Sequence, residues 1–361
     1  MVINKKKSIN PNKYHFYTLD FLKFLFAIII ACHHFQQGTG THFSHFNFYY
    51  GRIRFTYCVE LFFMISGLLL AISQENRKLK EIKQFMLEKV VRLLPMSALS
   101  VLAMLVITFF WTIQGKTTMP GIWKIANSLT CTFYGGSIRV SGDMGVNNPL
   151  WYICVLFICY GLFFSIKKLA QRKRIDERYF YLLMIFIGCG VHYWKIELPF
   201  LNDGTSRGYA SFFLGMFLWQ IIKKEEKSLF VVSTIISILI GLCLLLNIGL
   251  DDQWGIFTFL CWPSLIVFVI NLEQIISFKY LSSFLVFLGG VSFEIYIWHL
   301  PMRNLYMLFL GFPNKYTAIE MILFIVLTIC FSIPLYLFVE LRIRKWFSQY
   351  CYIKGKSNEK I

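Results

Sequence analysis

The stretch "FLKFLFAIIIACHHF", residues 21–35, decides the fold. It is apolar almost throughout, yet it carries Lys23 near one end and the pair His33-His34 near the other. Ionisable groups inside a bilayer are costly, and they usually face a protein interior or a water-filled cavity. A membrane helix with such groups therefore needs partners around it. The rest of the chain supplies them: apolar runs of about 18–20 residues, each able to cross a hydrocarbon core ~30 Å thick, recur along its length. Across 361 residues, 57% are hydrophobic and 15% are charged, outside the usual soluble range. The sequence predicts an all-α, polytopic transmembrane bundle of about ten spans. They fall at 18–36, 56–73, 93–113, 149–166, 179–193, 208–222, 228–247, 254–272, 282–300 and 317–339. One transmembrane domain then covers 1–361, with cytoplasmic tails at 1–16 and 347–361.

The net charge of +17 invites a nucleic-acid partner, but its distribution points elsewhere. With the N-terminus in the cytoplasm, 26 of the 36 Lys and Arg residues fall in cytoplasmic segments, 9 fall in outer ones, and Lys23 lies in the first span. This is the positive-inside pattern, with both termini in the cytoplasm. It accounts for the basicity through membrane lipid and topology, with no nucleic acid. Seven of the ten cysteines lie within apolar spans, where cysteine acts as a small hydrophobe. Cys58 and Cys131 fall near the outer face, where a disulfide is open to them. The box "IIAC" ending at Cys32 resembles a lipoprotein cleavage site, but Lys23 interrupts the run before it, and a retained helix is expected.

Lys23 and His34 are eleven residues apart, almost three helical turns, so they share one face roughly 16 Å apart along the axis. Asp20, one turn before Lys23, can pair with it. His33 projects about 100° from His34. A neutral histidine there can take a proton from a hydroxyl near pH 7, as a general base must. A snorkelling lysine with interfacial histidines is the plainer alternative. The second span, "VELFFMISGLLLA", brings Glu60 at its outer edge and Ser66-Gly67, where a bare backbone allows close approach. In "FMLEKVVRLLP", Lys89 and Arg92 are three apart, a spacing that lets two cations hold a phosphate. Trp151 and Tyr152 read first as an aromatic belt and second as a sugar platform. "LGGVSFEIYIWHLP" sets Ser292 and His299 along one face with Tyr296 close to it, and Glu294 on another side as a carboxylate within a span, of unknown pairing. "GYASFFLGMFLW", after Arg207, reads as close helix packing. Prolines 95, 149, 263, 301 and 334 sit at or inside span ends, where they stop or kink helices. His34, His42 and His45 match no helical metal-ligand spacing, and no metal is expected.

Taken in order, "LDFLKFLFAIIIACHHF", "VELFFMISGLLL", "KVVRLLP", "PLWYICVLFICY" and "LGGVSFEIYIWHLP" resemble the integral-membrane acyltransferase-3 family of bacterial surface-polysaccharide O-acyltransferases. The terminal "FVELRIRKW" resembles the family's closing Glu-plus-basic pattern. The likeness spans residues 18–346. It implies that His34 is the catalytic histidine, with Lys23 where arginine is commoner. It also implies that Arg92 and Lys89 help hold a cytoplasmic acyl donor. Glu60 stands where aspartate is frequent, and Glu294 where a small or uncharged residue is usual.

The resemblance implies an O-acetyltransferase of the bacterial inner membrane. Acetyl-CoA is the co-substrate, and the acceptor is a hydroxyl of a surface or lipid-linked polysaccharide at the outer side. Asp20, Lys23, His33, Glu60, Ser66, Glu294 and His299 are the candidate supporting residues. The alternative is a transporter or flippase for a glycan or small metabolite. It would share the spans and intramembrane charges, but the motif set around His34 and Arg92 argues against it.

Overall fold

The computed structural model describes residues 15–44, 46–75, 81–133, 145–224, 227–246, 252–276, 278, 280–311, 316–347 and 349. The greater part of both tails, His45 and the glycine-bearing segment 134–144 lie outside the described residues. The rest is helical: α1 (Tyr17–Thr39), α2 (Cys58–Gln74), α3 (Ile82–Ile113), α4 (Ile122–Leu129), α5 (Trp151–Lys173), α6 (Glu177–Tyr193), α7 (Asp203–Ile222), α8 (Lys227–Leu245), α9 (Gln253–Ile256), α10 (Trp262–Ile275), α11 (Ser282–Leu310) and α12 (Ala318–Pro334). Wide π-turns at Phe257–Cys261 and Leu335–Glu340 join α9 to α10 and extend α12.

Each of the ten apolar stretches falls on a helix. Among the described residues, seven helical segments have the length and hydropathy of a membrane crossing: 17–39, 55–74, 82–113, 148–173, 253–273, 282–310 and 318–347. The apolar part of α8, Ser228–Cys243, is shorter, and α6 and α7 are not among the seven. Two helices overrun their expected ends. α3 begins at Ile82 and continues through Pro95, and α11 continues through Pro301 to Leu310. A proline inside a helix removes one backbone bond and kinks the rod, but where no water can satisfy freed backbone groups, continuing the helix satisfies the most of them. Lys89, Arg92 and Arg303 consequently sit on helices.

The bundle is apolar outside as well as inside. Phe186, Ile319 and Ile113 are at least two-thirds exposed on its flanks, whereas Asp20, Glu60, Glu294, His299 and Arg207 are buried within it. That inverts the soluble pattern and gives the buried polar groups a site role by default. α1 packs along α11, and α2 along α7. The second pair is tight for a local reason. A Cβ on Gly67 would lie 2.0 Å from the Phe212 carbonyl oxygen, and one on Gly215 would lie 2.0 Å from that of Met64. Only glycine lets the two backbones meet there, the small-residue packing expected of "GYASFFLGMFLW". Cys58 and Cys131 are both free thiols, so no disulfide joins them.

Candidate active site

Two of the cavities between the helices hold the candidate residues. The first, of about 130 Å³, is lined by His33, His34, Gln37, Trp151, Arg207 and Tyr296 among others. His34 is placed by α1, and its Nδ1 lies 2.7 Å from Oε1 of Gln37, one turn on. A carbonyl oxygen only accepts, so Nδ1 carries the proton and Nε2 presents the lone pair that a base needs. The His34 and His299 rings stack at 5.1 Å, 19° from parallel. His299 is fully buried. Its Nδ1 faces the Ile295 carbonyl at 3.3 Å, and its Nε2 makes no hydrogen bond. Arg303 donates from its guanidinium to the His34 carbonyl at 2.9 Å. Gly38 makes room for it: a Cβ there would lie 2.3 Å from that guanidinium.

His33 lies closer to the site than its helical phase suggests, because it lines the same cavity. Its Nδ1 donates to the Phe48 carbonyl at 2.9 Å. Gln36 brings that carbonyl in by accepting from the amides of Phe48 and Tyr49, which folds the loop back over α1. His42 stacks on Tyr50 at 3.7 Å.

Glu60 forms a buried, two-pronged pair with Arg207, at 2.5 and 2.9 Å. The same guanidinium donates to the Thr56 carbonyl at 2.8 Å and lies 4.9 Å from the centre of the Trp151 ring. Trp151 is therefore a wall of the cavity. Tyr152 is buried, with its hydroxyl 2.9 Å from that of Ser66. Both rings turn inward: Trp151 meets Phe63 of α2 and Arg207 of α7, and Tyr152 meets Phe62 and Phe63.

The second cavity, about 400 Å³, falls within the roughly 300–1,000 Å³ of small-molecule sites. Lys23, Lys89, Arg92 and Arg344 line it, as do Asp20 and Ser66. Lys23 pairs with Asp20 at 2.5 Å, as its spacing suggests, and His15 is a second partner of that carboxylate. The bond to Asp20 holds the His15 imidazole above its ordinary value, against the opposing effect of burial. The Lys89 ammonium lies 5.0 Å from the Tyr160 ring centre and 5.3 Å from that of Phe85. Arg344 is held at the cavity by an ion pair with Glu340. Glu294 lies behind that pair, beside Glu340, Arg344 and Trp298, and neither of its oxygens meets a donor in bonding geometry. Ser292 lines the basic cavity, its hydroxyl bonded back to the Gly289 carbonyl at 2.7 Å. α11 thus serves both sides of the site: Ser292 lines the basic cavity, and His299 stacks on His34, which lines the other.

Arg207, Arg303 and Arg344 carry much of this geometry, and the sequence reading did not assign them roles. An arginine inside or against an apolar run was the available signal.

An acyltransferase domain model matches residues 16–337. The chain belongs to the acyltransferase-3 family. Both cavities are lined by residues of the matched region, apart from His15 just before it and Arg344 just beyond it. With its apolar helices, this family membership makes the chain a multi-pass membrane acyltransferase. No curated protein and no solved structure matches it.

Proposed function

We propose that the chain is an O-acetyltransferase of the bacterial inner membrane, taking acetyl from acetyl-CoA in the cytoplasm and passing it to a hydroxyl of a surface or lipid-linked polysaccharide at the outer side. Within this reading 1–361 is one catalytic unit. The observation that carries it is the pairing of a cavity walled by Lys89, Arg92 and Arg344 with one lined by His34, on whose ring His299 stacks. CoA phosphates are anionic, and arginine binds them through paired donors. Asp20 does not cancel those cations, because Lys23 and His15 already engage it.

In the first cavity, Nε2 of His34 accepts the acceptor's hydroxyl proton as its oxygen attacks the thioester carbonyl. The carbon–oxygen bond forms, the carbon–sulfur bond breaks, and the thiolate leaves with a proton returned from the imidazolium. Gln37 keeps the imidazole in the required tautomer, and His299 backs its plane. Glu60 and Arg207 fix the wall formed with Trp151, a flat surface suited to a sugar ring. The test is the acetyl content of the surface glycan in cells with and without this protein, and with His34→Ala. Equal acetyl content in all three removes the reading.

A further inference from the structure

The two cavities have separate walls with one exception: among the described residues, Tyr296 lines both. Its ring is buried, packed by Tyr152 at 5.4 Å, Phe62 at 5.7 Å and His299 at 6.0 Å. Its hydroxyl donates to the Pro149 carbonyl at 2.8 Å. That carbonyl belongs to a pinned turn, Asn148–Leu150. The side-chain amide of the preceding Asn147 donates to the Ile297 carbonyl and to the Ser100 hydroxyl, each at 2.9 Å. The acceptor of the Tyr296 bond is therefore tied to α11 and α3, while among the described residues the tyrosine hydroxyl is held by that one hydrogen bond.

We infer that Tyr296 is a gate between the donor cavity and the His34 cavity, and that it sets which acyl groups pass and keeps water from the thioester. The inference rests on the proposed acyl-CoA reaction. For transfer, the thioester carbon must come within roughly 3–3.5 Å of an oxygen activated at His34. In the latched position the tyrosine forms part of the wall of both cavities. Opening needs one neutral hydrogen bond to break and the ring to rotate, a modest net cost. A donor whose acyl end presses on the ring can meet that cost, and a closed ring limits wasteful hydrolysis. In that side reaction water replaces the alcohol: its oxygen bonds to the acyl carbon, the carbon–sulfur bond breaks, and the products are acetate and CoA thiol.

The test uses the full chain in detergent, with thiol release from acetyl-, butyryl- and hexanoyl-CoA measured without acceptor and CoA affinity measured alongside. Tyr296→Ala is expected to raise acceptor-free release by about tenfold or more, as water exclusion fails, and to flatten the preference for short chains. Tyr296→Phe, which keeps the ring and loses the latch, is expected to raise release by about two- to tenfold. Adding His34→Ala to Tyr296→Ala should abolish the extra release, which separates a leak through the site from general loosening. Wild-type rates and chain preference in both single variants, with CoA affinity intact, overturn the gate while leaving the acyl-CoA reading standing. If Tyr296→Ala does not fold, the Phe variant decides alone. A wild-type chain that neither binds CoA nor releases thiol overturns both.

Discussion

His34 and His299 come from helices at opposite ends of the sequence, and their imidazoles stack 19° from parallel. The stack fixes the plane of the base, and His299 has no further hydrogen-bond partner at Nε2. His299 is thus a positioning residue. His299→Ala should lower kcat by about 10–100-fold with donor KM unchanged, because misplacement by about 1 Å costs up to ~10²-fold. His299→Phe, which restores a flat ring, should recover part of that loss. Steady-state kinetics on both variants check this, and a Phe variant as dead as Ala would assign His299 a proton-carrying role instead.

The Glu60–Arg207 pair is buried on both sides. Removing one partner leaves an uncompensated charge, a loss of about 3–5 kcal/mol. Arg207→Ala should therefore destabilise the bundle strongly, and Glu60→Gln with Arg207→Met should restore much of the stability without restoring activity. Thermal unfolding in detergent, read beside transfer rate, separates the two effects.

Arg92 and Lys89 lie on α3 at the basic cavity. Arg92→Ala should weaken CoA binding more than Lys89→Ala, since a guanidinium offers paired donors that a lysine does not. Lys89 also packs over Phe85 and Tyr160, so its loss should show in stability as well. Calorimetric titration with CoA measures the affinities; equal affinities in wild type and Arg92→Ala would place the donor phosphates elsewhere.

Donor binding should also depend on pH through His15. Its raised value keeps it protonated at and somewhat above its ordinary 6.5, and the proton leaves as pH rises through the raised value. Below that point the basic cavity has one more positive charge, and Asp20 one more partner. CoA affinity should fall as pH climbs from below 6.5 through the raised value, and His15→Gln should remove that step. A step that persists unchanged in His15→Gln would belong to another group.

The helices were legible because apolar runs of spanning length have few alternatives. The Asp20–Lys23 pair was legible because i, i+3 neighbours meet on any helix. The partnership of Glu60 with Arg207 was not, since it joins residues 147 apart and depends on how α2 and α7 dock. Glu294 gained its neighbours, Glu340 and Arg344, in the same way. Helical phase alone turned His33 from the site, whereas the loop that Gln36 folds back holds its ring at the cavity wall. At Pro95 and Pro301 the helix runs on through the proline, because an apolar surround favours a continued helix over a broken one.

The most direct measurement is acetyl transfer to the glycan acceptor in membranes bearing His34→Ala, with protein level and CoA affinity checked in the same preparation. A positioned base contributes roughly 10²–10⁴-fold, so transfer should fall below detection while CoA affinity and expression stay near wild type. His33→Ala, which loses the tie to the Phe48 carbonyl, should be milder. Full transfer by His34→Ala would contradict the assignment of the base, and a dead His33→Ala beside it would move that role one residue along the helix.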